Sequence, residues 1–141
     1  MTQFYREAII DSVVWISAKS KRDQRCSDGE RILNSFFSKI IGKVYITNFV
    51  LLETINFLIR KCGYEEAIDT LNRFLQSENI EIVYVDKIMM ENMKIIFEKY
   101  KDLSLTDCSI VALMEEKDIK YLFSFDTGFD KVKNVIRKET L

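Results

Sequence analysis

The chain has 141 residues, 48% hydrophobic and 30% charged, a length and composition that suit one compact domain, residues 1–141, with a real core. It contains no histidine, which excludes Ser-His-Asp and Cys-His catalysis, histidine-ligated zinc and imidazole general bases together. Its 21 basic and 22 acidic side chains leave a net charge of −1, which argues against a uniformly basic nucleic-acid-binding surface. Cys26, Cys62 and Cys108 lack the spacing of a disulfide framework or a zinc site. Apolar runs are short and the first residues show no signal-peptide pattern, so the expectation is a soluble, cytoplasmic protein with no membrane partner.

Without proline and with only four glycines, the chain suits a continuous alternation of strands and helices. Ala8-Ile9-Ile10 reads as a first strand buried on both faces, and Ser12 to Ser17 as the turn and helix leaving it. A polar stretch with Lys19, Lys21, Arg22 and Arg25 follows, and Ser27 and Glu30 have capping-box spacing for the next helix. Its apolar face is expected to be Ile32, Leu33, Phe36, Phe37 and Ile40. Val44 to Thr47 reads as a second strand, leading into a helix from Asn48 to Cys62 that Gly63 terminates. Tyr64 to Gln76 predicts a helix with Ala67, Ile68, Leu71, Phe74 and Leu75 inward, and Ile80 to Val85 a third strand. Asp86 is placed to cap the following helix, and Tyr100 to Leu105 connects it to an apolar helix opening near Thr106-Asp107. Tyr121 to Phe125 predicts a fourth strand delivering Asp126 into a turn, and Val132 to Arg137 a short edge strand. Strands separated by helices imply an α/β fold with a central, mainly parallel sheet covered on both faces.

Four acids stand out against this pattern. Asp11 and Asp126 directly follow strands, Asp107 opens a helix, and Glu53 lies about a turn into the helix after a strand. In an open α/β sheet all four can reach the rim where the strand carboxyl ends converge. A cluster of carboxylates there suits Mg²⁺ or Mn²⁺, because hard cations prefer oxygen ligands and unpaired anions near a core are costly. Each residue also has a plainer reading: Asp11 and Asp107 as helix caps, Asp126 as a turn residue, and Glu53 as a boundary acid paired with a lysine or arginine. Glu53 fits its plainer role least well, since Phe49, Val50, Leu51, Leu52, Ile55, Phe57, Leu58 and Ile59 make its helix apolar nearly all round and predict burial. With these four acids set aside the charge balance turns positive, leaving basic side chains to hold a polyanion.

Four segments carry these residues in order: Ile9-Ile10-Asp11-Ser12-Val13-Val14-Trp15, Glu53-Thr54-Ile55-Asn56-Phe57-Leu58, Leu103-Ser104-Leu105-Thr106-Asp107-Cys108, and Phe123-Ser124-Phe125-Asp126-Thr127-Gly128-Phe129-Asp130. In order and spacing the chain resembles the PIN-domain ribonucleases, particularly the VapC-type toxins of toxin–antitoxin pairs. The resemblance implies a three-layer α/β/α sandwich and a metal-dependent endoribonuclease that hydrolyses RNA phosphodiesters. Asp11, Glu53, Asp107 and Asp126 match the family's acidic positions, Asp130 an acid near that site, and Ser12 and Thr106 hydroxyl positions that support water or substrate. The resemblance also implies a homodimer and inhibition by a small antitoxin protein entering the active-site groove. Lys19, Lys21, Arg22 and Arg25 are the candidates for the phosphate path. Two rival functions share these residues: a catalytically silent RNA-binding or protein-interaction module, and a phosphoryl-transfer enzyme using Asp11 as nucleophile.

Overall fold

The computed structural model describes residues 3–141. Its strands are β1 (Tyr5–Ile10), β2 (Ile41–Thr47), β3 (Ile80–Val83), β4 (Tyr121–Phe123) and β5 (Ile136–Lys138). The helices are α1 (Ser12–Lys19), α2 (Cys26–Phe37), α3 (Asn48–Cys62), α4 (Tyr64–Gln76), α5 (Lys87–Lys99) and α6 (Leu105–Lys117), with a 3-10 helix at Thr127–Lys131. All strand pairs are parallel and the order is β3-β2-β1-β4-β5, flanked by the helices as a three-layer α/β/α sandwich.

This order matters for function. The chain starts at the centre of the sheet, moves outward through β2 and β3, then returns to the other side of β1 with β4 and β5. The direction of winding therefore reverses between β1 and β4, and loops leaving neighbouring strands there diverge and open a crevice at the carboxyl ends. Asp11 follows β1 and Asp126 lies three residues beyond β4, so these two acids flank the crevice. The amide of Asp11 donates to the Phe123 carbonyl at 2.9 Å, extending the ladder to the point where the crevice begins.

The core lies around β1 and β4: Ile9, Ile10, Leu122 and Phe123 are essentially inaccessible, with Val14, Trp15, Phe74, Val111 and Leu113 packed in the same cluster. Trp15 meets Phe74 edge to face at 4.8 Å between ring centroids. Helices α1 and α2 pack tightly through Gly29, where a Cβ would come within 2.9 Å of the Ala18 amide nitrogen and the Val14 carbonyl oxygen. Asp86 caps α5 by accepting from the Met89 amide at 2.9 Å, and Gly63, at φ +96°, ends α3 and turns the chain into α4.

Several local expectations are corrected. β1 and β2 start earlier than their apolar runs, because register pairs such as Tyr5↔Ile41 and Glu7↔Lys43 satisfy the polar residues' backbone groups. β3 and β4 end at Val83 and Phe123, and the edge strand shifts to Ile136–Lys138. The Ser27–Glu30 capping box does not form; α2 opens at Cys26 behind Arg25, placing Ser27 already inside the first turn. Lys39, at φ +66°, turns the chain after α2, so Ile40 falls outside its apolar face and Phe37 is exposed. α6 begins at Leu105, capped by Ser104. Helix α3 is not buried all round: Val50, Thr54 and Leu58 face inward, while Leu52, Phe57 and Ile59 are exposed. Ile68 and Leu75 of α4 also face outward. Apolar pattern alone overstated burial here because α3 packs on α1, α4 and α6 through part of its circumference and leaves the rest to solvent.

Candidate functional site

The three aspartates are placed by the local structures that their plainer readings predict. Asp11 caps α1, with Oδ1 accepting from the Ser12 amide at 2.8 Å, and Asp126 caps the 3-10 helix, with Oδ1 accepting from the Gly128 amide at 2.8 Å. Asp107 occupies the third position of α6 in a reciprocal capping box: its amide donates to the Ser104 hydroxyl at 3.0 Å and its carboxylate accepts from the Ser104 amide at 3.0 Å. Capping thus orients each aspartate and leaves carboxylate capacity for a second task.

Two serines link these separate caps. The Ser12 hydroxyl donates to Glu53 Oε2 at 3.0 Å, tying the start of α1 to the second turn of α3. The Ser124 hydroxyl, fully buried, donates to Asp11 Oδ2 at 2.7 Å and accepts from the Asp126 amide at 3.0 Å. Ser124 therefore holds the two acids that flank the crevice in fixed relation. Sequence reasoning did not single it out; the available signal was a hydroxyl interrupting the apolar strand just before Asp126.

The site is electrostatically unsatisfied. Asp11 is 3% exposed, and burial pushes its carboxyl up to about 7, against the Ser124 and Ser12 hydrogen bonds and with the neighbouring Asp107 and Glu53 charges adding to the rise. Burial also raises Glu53, countered by the Ser12 hydroxyl and reinforced by Asp107. Asp107 is raised by burial and by the Asp126 charge, against its two Ser104 hydrogen bonds. These mutual influences place all four acids in one electrostatic neighbourhood. Among the described residues none of them forms an ion pair with lysine or arginine, so Glu53 lacks the cationic partner of its plainer reading.

Also among the described residues, no three carboxylates stand close enough to enclose an ion directly. The donor set fits a small hard cation bound in a different manner, through one or two carboxylates with water completing the shell. All available ligands are oxygens, and a cation there would offset the burial and the carboxylate repulsion that raise Asp11.

The other sequence candidates have varied surroundings. Thr106 is half-buried in the first turn of α6, next to Asp107. Asp130 is engaged by Arg137, whose Nε and Nη2 donate at 2.7 and 3.2 Å and hold its carboxyl below the usual range. Lys19 pairs with Glu66 of α4, and Lys21 and Arg22 lie exposed in the α1–α2 turn. Of these four basic residues Arg25 lines the cleft that also contains Ser12 and Glu53, joined there by Phe57, Lys61 and Phe125, which sequence reasoning did not select.

The PIN domain family model matches residues 8–135. The chain belongs to the PIN domain family. This PIN domain is 27% identical over 110 residues to Ribonuclease VapC13 of Mycobacterium tuberculosis, spanning 78% of this chain and 82% of that protein. It has the same identity and coverage to VapC ribonuclease Mb1869c of Mycobacterium bovis. Among solved structures it resembles VapC20 of M. tuberculosis, a sarcin-ricin loop cleaving toxin, with a TM-score of 0.77 and 23% identity over 89% of this chain and 95% of that one. A toxin–antitoxin complex from Klebsiella pneumoniae aligns with a TM-score of 0.68 and 17% identity, covering 92% of this chain and 95% of that one. VapBC2 from Rickettsia felis, bound to a promoter DNA fragment, aligns with a TM-score of 0.66 and 15% identity, covering 94% and 97%.

Proposed function

We propose that this PIN domain is a divalent-metal-dependent endoribonuclease that hydrolyses RNA phosphodiester bonds, the toxin of a toxin–antitoxin pair. The observation that carries the reading is the group of four acids at the winding reversal, one of them buried and raised to about 7, with no cationic side chain paired to any of them among the described residues. Such a group favours a bound cation, and the ribonuclease relatives support RNA as the polymer on which it acts. The toxin–antitoxin complexes among the structural relatives support a cognate antitoxin as partner. Exposed apolar side chains on α3, α4 and α5, including Leu52, Ile59, Leu75, Ile88 and Ile95, support assembly with a second copy or with that antitoxin.

One or two of Asp11, Asp107 and Asp126 would hold Mg²⁺ or Mn²⁺ directly and the remainder through water, with Glu53 completing the shell or orienting water. When bound, the cation lowers the pKa of the attacking water and neutralises charge growing on the phosphoryl oxygens. The Ser124 hydroxyl favours the charged form of Asp11 by donating to Oδ2, against the burial that raises it, and the Ser12 hydroxyl anchors the Glu53 carboxylate. The rival role of Asp11 as a phosphoryl nucleophile lacks its sequence context, since the residue two positions on is Val13 and not a second aspartate.

The test compares wild type with Asp11→Asn on single-stranded RNA with Mn²⁺, with folding checked by circular dichroism. Cleavage should fall by more than about 100-fold, beyond the range expected for outer-shell changes. Undiminished metal-dependent cleavage by the variant overturns the assignment, and RNA binding without calorimetric metal binding favours the silent module instead.

A further inference from the structure

A slot of about 400 Å³ is lined by Glu53, one of the four acids, and by Ser12, whose hydroxyl donates to Glu53. Val13 and Ile16 of α1 form its floor, and Glu53, Phe57 and Lys61, spaced four residues apart, supply one face of α3. Sheet order places α3, after β2, and Phe125, after β4, on opposite sides of α1, after β1. The slot is therefore a trough with Phe57 on one wall and Phe125 on the other. Phe57 is 46% exposed although it is a large aromatic side chain beside a charged site.

The basic residues here are not arranged to grip phosphate. Arg25 donates Nε to Asp28 at 2.8 Å and Nη1 to Glu139 at 3.0 Å, and Lys61 donates to Asp23 at 3.1 Å. Their charges are already balanced by carboxylates. What Arg25 presents instead is its planar face, centred 4.0 Å over the ring of Phe125. An aromatic ring stacked with a guanidinium plane is a surface suited to another flat π system, and unpaired RNA bases dock on such surfaces.

We propose that this trough is a nucleobase subsite, in which the Arg25–Phe125 stack and Phe57 receive a base of single-stranded RNA flanking the phosphodiester cut at the acids. The inference rests on the endoribonuclease reading and adds a base-binding element to it. Continuity with the acids favours RNA as the occupant, because a phosphodiester brought to the acids through a bridging cation would carry its neighbouring base within one nucleotide of the trough. Stacking is tolerant of base identity, so the subsite strengthens binding and register more than it reads sequence.

The test uses wild type, Phe125→Leu, Phe57→Ala and Arg25→Lys with Mn²⁺ and a single-stranded RNA of mixed sequence whose cleavage sites are first mapped. That RNA is then resynthesised with an abasic nucleotide on either side of one cut. Removing the base on one side should lower wild-type kcat/KM about tenfold or more. Phe125→Leu should cause a similar loss on intact RNA and little further loss on the abasic RNA, since both changes remove one contact. Phe57→Ala, on an exposed side chain, provides the same comparison with little risk to folding, and Arg25→Lys keeps the charge while removing the plane. If Phe125→Leu and Phe57→Ala cleave intact RNA at wild-type rates, or lose equally on intact and abasic RNA, the subsite is overturned while the ribonuclease reading stands. Wild-type rates on RNA combined with lost affinity for an apolar peptide would assign the trough to a protein partner and overturn it likewise. Wild type that cuts no RNA with Mn²⁺ overturns both readings.

Discussion

The two ends of the sheet differ in how their charges are satisfied. Toward the amino-terminal edge, Glu81 lies between Lys43 at 3.3 Å and Lys117 at 3.6 Å, and Tyr45 packs under the same two ammonium groups. The larger cavity, about 660 Å³, also lies at that end, where Asp118 and Lys120 precede β4 and Lys133 and Ile136 border β5. At the carboxyl end four acids gather beside a smaller trough of about 400 Å³, with hydrogen bonds to orient them but no ion pair among the described residues. Cavity size does not separate the two ends; unbalanced charge does. A paired acid is already stabilised, whereas crowded, desolvated carboxylates retain a strong tendency to bind protons or cations.

Titrating stability separates the two ends of the sheet most directly. Asp11 is raised from an ordinary value of 3.8 to about 7, so the folded state holds its proton more tightly than the unfolded chain. Stability contributed by that proton is fully present below about pH 4 and is lost as pH rises through about 7, amounting to as much as roughly 4 kcal/mol. Thermal unfolding without divalent metal should therefore show a fall in Tm between pH 5 and 8 that Asp11→Asn removes. Mn²⁺ should raise Tm more at pH 8 than at pH 5, because it binds the ionised carboxylates. A flat profile would remove the electrostatic contrast between the two ends.

Ser124→Ala should have the next largest effect. It strips one hydrogen bond from buried Asp11 and one acceptor from the Asp126 amide, costing about 1–3 kcal/mol, with the greater loss at pH 8 where Asp11 is charged. Cleavage should fall about 10–100-fold, the range for groups that orient metal ligands. Urea unfolding at the two pH values, together with a cleavage assay, checks both statements. The smallest effect is expected at the other end: Glu81→Gln should cost less than about 1 kcal/mol and leave RNA cleavage unchanged, since its ion pairs are solvent-exposed. A cleavage loss from that substitution would show that the two ends are coupled.

Much of the fold was legible in the chain because strand and helix periodicities are local. The strand cores, Asp86 as a cap, Gly63 as a helix stop and the parallel α/β class all followed from residue order. Local reasoning failed where a neighbour decided the outcome. The apolar pattern predicts a buried α3, yet Leu52, Phe57 and Ile59 are exposed; capping-box spacing points to Ser27, yet α2 is capped at Arg25, two residues earlier. Local reasoning treated capping and metal binding as competing roles for Asp11, Asp107 and Asp126. In the folded chain capping is the means by which these side chains are aimed.

The chemistry available to the site is fixed by residue identity: no histidine, oxygen-only candidate ligands and four acids in strand-end or helix positions. Those properties depend on residue identity and on short-range periodicity, which survive without knowledge of long-range contacts. Long-range packing settles that Ser124 joins Asp11 to Asp126, that Asp130 pairs with Arg137, and that Arg25, a candidate for the phosphate path, instead lies over the Phe125 ring. Each depends on contacts between residues brought together by strand order and helix packing, and hydrogen bonding and desolvation act over a few ångströms of space regardless of separation along the chain.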